Sequence, residues 1–254
     1  MVNNRMLKTT KIRIGVLISG TGTNFQAIID GCNAGNIHGK VVFAGSDNPD
    51  ATGLNRAAKH NIPHFVVDYS SIIRSFDKTP EKIRLPRDFN LKDALSKTRL
   101  FKQNTDKNRI KRFLITRAIA EAKLFDKIKG FKFDLIALAG FMRKLSPYFI
   151  DKISALPEKP CIINIHPALL PAFPGMDGYA DTFDYGCKIG GCTVHFVDYG
   201  EDSGPIIAQR AFEINSDDTL ETVRAKGLKI EWDLYPESIQ LVARNRVKIT
   251  DMEI

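Results

Sequence analysis

Asn164 and His166 stand two residues apart at the end of an apolar run, Cys161-Ile162-Ile163-Asn164-Ile165-His166, which Pro167 closes. Side chains alternate faces along a strand, so residues i and i+2 point the same way. The pair therefore presents an amide donor and a titratable imidazole to one spot. Those groups can donate hydrogen bonds to, or exchange a proton with, a ligand bound there. A strand end with a solvated histidine and a turn-forming asparagine is the plain alternative. A second candidate is Ser19-Gly20-Thr21-Gly22-Thr23-Asn24, between a β-branched run at 11–19 and a helical pattern from Phe25. Strand, glycine-rich turn and helix start direct backbone N–H groups at an anion such as a phosphate. The turn matches neither a Walker loop nor GxGxxG, so alone it also fits an ordinary strand–helix junction. A third is Gly140-Phe141-Met142-Arg143-Lys144-Leu145, either a backbone-lined slot for a flat ligand or core plus surface charge. His195, inside the alternating strand 191–197, reads as a structural histidine, and Trp232 reads as a core or helix-packing residue.

These side chains need a scaffold. Strands at 11–19, 41–46 and 65–67 alternate with helical patterns at 25–32 and 51–60, and further strands fall at 134–139, 161–166, 191–197 and 206–212. Helices are expected at 113–129, 146–153, 179–186 and 219–242. The alternation predicts an α/β fold, a doubly wound, mostly parallel sheet with helices on both faces. In such sheets ligands bind beyond the carboxyl ends of the strands, where all three candidate stretches fall. A chain of 254 residues can bury a full core. No apolar run approaches the ~20 residues of a membrane span. Residues 1–11 are polar and basic, and the apolar run after them reads as a strand, so a cytoplasmic protein is expected. Cys32, Cys161, Cys187 and Cys192 form no CxxC pair and read as buried free thiols, with no metal-ligand cluster nearby.

The net charge of +8 has a location. Residues 70–112 hold 13 Lys and Arg against 5 Asp and Glu, whereas the rest of the chain holds 24 of each. This segment contains Pro80 and Pro86 and interrupts the alternation, as a flexible insert or a small helical excursion. A solvated face is the usual meaning of such a charge run, and a polyanion or partner contact is the sharper one. It lacks the aromatic interleaving of a single-strand nucleic-acid platform, so nucleic acid is not expected as a partner.

Three blocks in this order resemble the glycinamide ribonucleotide formyltransferase family of folate-dependent enzymes. They are SGTGTN at 19–24, LAGFMRKLSP at 138–147, and NIHPALLP at 164–171 joined to VHFVDYGEDSGPIIAQ at 194–209. The last block is shared with the wider formyltransferase superfamily, and the first loop favours this member. The resemblance covers 12–68 and 113–247, and implies one formyltransferase domain over 1–254 with a basic insertion at about 70–112. It implies catalytic roles for Asn164, His166 and Asp202, and substrate phosphate binding by Gly22, Thr23 and Asn24. It implies that Glu231 contacts the ribonucleotide, and that Met142, Arg143, Leu145, Tyr199, Gly200 and Glu201 form the folate side. The implied reaction moves the formyl group of 10-formyltetrahydrofolate to the amine of 5'-phosphoribosylglycinamide in purine synthesis, without a metal. A carboxylate at Asp202 would favour the imidazolium of His166. A monomer or homodimer is implied. One departure stands out: Met176-Asp177-Gly178-Tyr179 replaces a histidine-containing stretch of many relatives. Asp177 and Tyr179 are expected either to take over substrate contacts or to reshape the rim. The rival readings are a formyltetrahydrofolate deformylase, a methionyl-tRNA formyltransferase, and a non-catalytic binding protein on the same scaffold. The first usually carries a domain ahead of the catalytic one and the second a C-terminal barrel, and neither is expected here. An intact Asn-His-Asp set argues against the third.

Overall fold

The computed structural model describes residues 11–244; the polar stretch before Lys11 and the end of the resemblance near Val247 lie outside the described residues. Five strands run parallel: β1 (Ile12–Ile18), β2 (Gly39–Ser46), β3 (His64–Val66), β4 (Leu135–Leu138) and β5 (Cys161–His166). β6 (Ile189–Phe196) and β7 (Ile206–Glu213) join antiparallel at one edge, giving the order β3-β2-β1-β4-β5-β6-β7. The winding direction reverses between β1 and β4, so a crevice opens beyond their carboxyl ends. This is the mostly parallel α/β sheet that the alternation predicts. The antiparallel edge comes from β6 pairing back onto β5, a register that local pattern does not encode.

Helices cover both faces, and the short α2 (Leu54–Lys59) and α7 (Gly178–Asp184) complete their order along the chain. α1 (Thr23–Asn33) and α8 (Leu220–Ala243) pack Phe25, Ile28, Leu234 and Tyr235 on Ile14, Val16, Ile163 and Ile165. α3 (Tyr69–Lys78), α5 (Lys107–Ile128) and α6 (Pro147–Ser154) cover the other face, where Leu124, Phe149 and Ile153 meet Leu17, Ile136 and Ile162. Ile162 and Ile163 thus face opposite layers, as strand alternation requires. Burying a side chain of this size is worth about 1.5–3 kcal/mol, so the strand ends form a rigid shelf. Trp232 does not join this core: it is 42% exposed.

Of the two shapes expected for the basic segment, the structure has the helical one. It supplies most of α3, a 3₁₀ turn at Pro80–Lys82, α4 (Leu91–Lys97) and the first residues of α5. Asn90 and Asp106 cap α4 and α5 by accepting from the N–H groups of Asp93 and Arg109. The segment docks on α6 through Asp88, which accepts from the Tyr148 hydroxyl at 2.9 Å and pairs with Lys152, and through Lys97, which bonds Asp151 at 2.8 Å. Its other lysines and arginines face solvent.

Candidate active site

The carboxyl ends of β1, β4 and β5 open into one cavity of about 500 Å³, a size that suits a small-molecule substrate. Asn164 and His166 both line it, on the face of β5 opposite Ile163 and Ile165. Asp202 reaches them from the loop between β6 and β7. Its Oδ2 lies 3.3 Å from His166 Nδ1 and accepts the Gly175 N–H at 2.9 Å. His166 Nε2 lies 2.8 Å from Phe173 O, which can only accept, so both ring nitrogens face acceptors. An imidazolium satisfies that arrangement with two N–H donors. Asp202 takes a left-handed backbone (φ 51°), an unusual conformation for a non-glycine residue, which aims its carboxylate inward. Burial pushes its carboxyl pKa up. The His195 and His166 rings beside it and the Gly175 N–H outweigh that, and the pKa ends below the usual carboxylate range.

His195 is part of this cluster, contrary to its expected structural role. It pairs directly across from Asn164 in the β5–β6 register, and its Nε2 lies 3.3 Å from Asn164 Nδ2 and 3.7 Å from Asp202 Oδ1. Its Nδ1–H donates to Phe196 O at 2.8 Å, which leaves Nε2 to accept from the Asn164 amide. A readable signal exists: Thr193 and His195 alternate with the apolar Cys192, Val194 and Phe196. Thr193 is the structural member, donating to Ala168 O at 2.7 Å and accepting from Leu170 N–H at 3.0 Å. It thereby fixes the turn that follows His166.

One end of the cavity is built by the first turn and α1. Gly22 precedes the helix with φ 69°, a left-handed conformation that glycine adopts freely, and no side chain caps the helix start. The N–H groups of the first turn keep their donors for a ligand. Arg56 Nε clasps the turn from outside through Thr21 O at 2.9 Å. Asn24 Nδ2 donates to Glu231 Oε2 at 2.6 Å, and the Tyr179 hydroxyl donates to Glu231 Oε1, also at 2.6 Å. Burial raises the Glu231 carboxyl, and these two donors work against that. The buried Oδ1 of Asn24 has no hydrogen-bond partner among the described residues. Tyr179 lines the cavity and bonds Glu231, whereas Asp177 bonds Arg224, whose Nη2 lies 2.6 Å from its Oδ2. Arg224 lines the cavity as well; it lies on α8 two turns before Glu231, where sequence alone shows only a helix surface cation.

The other end is formed by 139–145 and 197–201. Leu145 and Phe141 are buried, Met142 is half exposed, and all three line the cavity. Arg143 lines it too, and donates to Asp47 Oδ2 at 2.5 Å and to Ser70 Oγ at 3.0 Å. Gly200 and Glu201 line the cavity, and Glu201 pairs with Lys144 at 2.5 Å. Tyr199 departs from the expectation of a direct ligand contact. Its ring turns away from the cavity, and its hydroxyl bonds Asp151 on α6. The strand alternation that carries Val197 inward has ended by then, so side-chain direction in this loop could not be read from spacing.

Comparison with known proteins places the chain among enzymes of one kind. The formyl transferase family model matches residues 12–239. A phosphoribosylglycinamide formyltransferase of Bacillus subtilis is 32% identical over 234 residues, covering 92% of this chain and 96% of that protein. A trifunctional purine biosynthetic protein adenosine-3 of Chironomus tentans is 32% identical over 97% of this chain, which spans only 15% of that protein's length. Among solved structures, glycinamide ribonucleotide transformylase 1 from Symbiobacterium toebii is 36% identical with a TM-score of 0.71, covering 95% of this chain and 92% of that one.

Proposed function

The chain belongs to the formyl transferase family, and from that premise we propose that it transfers a formyl group from 10-formyltetrahydrofolate to the amine of 5'-phosphoribosylglycinamide in purine synthesis. The observation that carries the proposal is the contact between Asp202 and His166, 36 positions apart in the chain and 3.3 Å apart in space, beside Asn164. The lining of the cavity supports two different substrates. A flat pterin lies in the apolar end, and the sugar phosphate lies against the Gly22–Asn24 turn, where uncapped N–H groups and the helix dipole favour a dianion. Glu231, Asn24 and Arg224 supply polar contacts around the ribose and phosphate.

The amine attacks the planar formyl carbon, and charge builds on the formyl oxygen. Asn164 donates its side-chain N–H to that oxygen, and His166 donates the N–H that Phe173 O otherwise accepts. Such preorganised donors are worth about 10²–10³ in rate each. Asp202 holds His166 in place and accepts the proton lost by the amine, directly or through water; collapse of the tetrahedral intermediate then breaks the bond between the formyl carbon and N10, and that proton is relayed to N10, which leaves as the N–H of tetrahydrofolate. His195 holds the Asn164 amide in the donating orientation. Glu231 and Arg224 position the ribonucleotide. Cytoplasmic residence belongs to the same proposal, and the free thiols fit a reducing compartment.

The test is absorbance-monitored turnover of 10-formyl-5,8-dideazafolate with and without the ribonucleotide. Loss of the formyl group only when the ribonucleotide is present supports the proposal. Equal loss without it makes water the acceptor and the enzyme a deformylase.

A further inference from the structure

Leu100 belongs to the basic segment, outside every stretch that carries the family resemblance, yet it lines the cavity. It is 7% exposed and belongs to neither of the two apolar clusters that flank the sheet. Its neighbours are built into both walls of the apolar end. On one wall, the Arg99 N–H donates to Tyr199 O at 2.9 Å, and Arg99 pairs with Gly200 as an isolated parallel bridge. Two residues earlier, Lys97 bonds Asp151, the carboxylate that also takes the Tyr199 hydroxyl. On the other wall, Phe101 sets its ring edge-on to Phe113, with centroids 5.1 Å apart. Arg117 lies 4.8 Å over Phe113 and donates to Lys144 O at 3.1 Å. Lys144 then closes the circuit on Glu201.

We infer that the insertion is a recognition element for the formyl donor. Leu100 forms part of the apolar wall against which the flat ring system of a reduced folate lies. The Arg99–Gly200 bridge holds the 199–201 loop in register for it. This rests on the function proposed above and adds a residue to its donor site. A leucine kept for the core would pack into one of the two clusters, and Leu100 does not. The exposed cations of the segment give it a solvated back, and only its tip meets the site.

The test uses Leu100→Ala, Leu100→Phe and Leu100→Met in the full chain, with two readouts. The first is fluorescence-titrated binding of 10-formyl-5,8-dideazafolate. The second is steady-state kinetics with each substrate varied in turn. Removing three carbons from an apolar contact should raise the Kd of the quinazoline and the KM of the formyl donor roughly 10- to 50-fold. The KM of the ribonucleotide should stay within about twofold, and Leu100→Met should restore donor binding because it fills the same volume. Leu100→Phe keeps the apolar burial but occupies the slot, and should also raise the Kd with its melting temperature held. An unchanged Kd in folded Leu100→Ala or Leu100→Phe overturns the inference. Binding that depends on Leu100, without formyl transfer to the ribonucleotide, supports the wall and sinks the proposed function. A wild-type chain that does not bind the quinazoline overturns both.

Discussion

Replacing Asp202 with Asn removes one charge and little else. The amide oxygen can still accept the Gly175 N–H that Oδ2 accepts at 2.9 Å, and the side-chain volume is nearly unchanged. What disappears is the carboxylate 3.3 Å from His166 Nδ1. Two unit charges at that separation attract by about 4–5 kcal/mol at an effective dielectric of ~20, and a charged hydrogen bond nets about 1.5–3 kcal/mol after desolvation. We therefore expect the transition state to lose about 2–4 kcal/mol of stabilisation, which lowers kcat roughly 30- to 1,000-fold. The fold should suffer less. The carboxyl pKa lies below its ordinary value in the native state, so its stabilising effect is present above the unfolded pKa and fades as pH falls through the native one. The assay is turnover at saturating formyl donor and ribonucleotide at pH 7.5, run beside a thermal melt of each protein. A variant within about threefold of the wild-type kcat refutes the reasoning. So does a loss of activity that merely tracks a fall in the folded fraction.

Three further outcomes test other parts of the site. Asn164→Ala should lower kcat about 10²–10³-fold with the melting temperature nearly held, since its amide serves the oxyanion and, among the described residues, bonds only His195; wild-type turnover would remove it from the mechanism. Thr23→Glu places an acid in the first turn of α1, where the helix dipole welcomes it, but sets a like charge against the substrate phosphate. The ribonucleotide KM should rise at least about tenfold with the donor KM unchanged, and an unaltered ribonucleotide KM excludes the phosphate assignment. Glu121 is fully buried against Ser146, and burial pushes its carboxyl pKa up to about 7. A raised acid of this kind holds its proton in the fold, so the stability it permits is complete below the unfolded pKa and is lost as pH rises through about 7. Urea melts from pH 5 to 8 should show a wild-type loss on the order of 2–3 kcal/mol that Glu121→Gln abolishes; parallel slopes for the two proteins would rule it out.

The legible parts of this molecule were those that local geometry writes. A two-residue spacing put Asn164 and His166 on one face, and hydrophobic runs separated by turns implied the parallel sheet. Asp202 came only from the family resemblance, because the loop that returns it to His166 has no periodicity of its own. The place of His195 beside Asn164 is hidden for a related reason. Its partner is decided by the β5–β6 register, a pairing between distant strands that neither strand states alone. Tyr199 shows the limit of carrying roles over: the position lies in the right loop, but its ring is drawn to Asp151 on α6. The insertion was readable as basic and interrupted, whereas its docking depends on Asp88, Lys97 and Arg99 meeting atoms far away in sequence.

Asp47 ties the two ends of the cavity together. One carboxylate oxygen takes the Ser19 hydroxyl at the mouth of the first turn, and the other takes Arg143 from the opposite end, while Met142 N–H donates to the same serine at 2.7 Å. The two substrate sockets are therefore fastened by one buried rivet. An engineer who grafts a new donor pocket onto this chain must carry Ser19 and Asp47 along with it, or the nucleotide socket will shift as well.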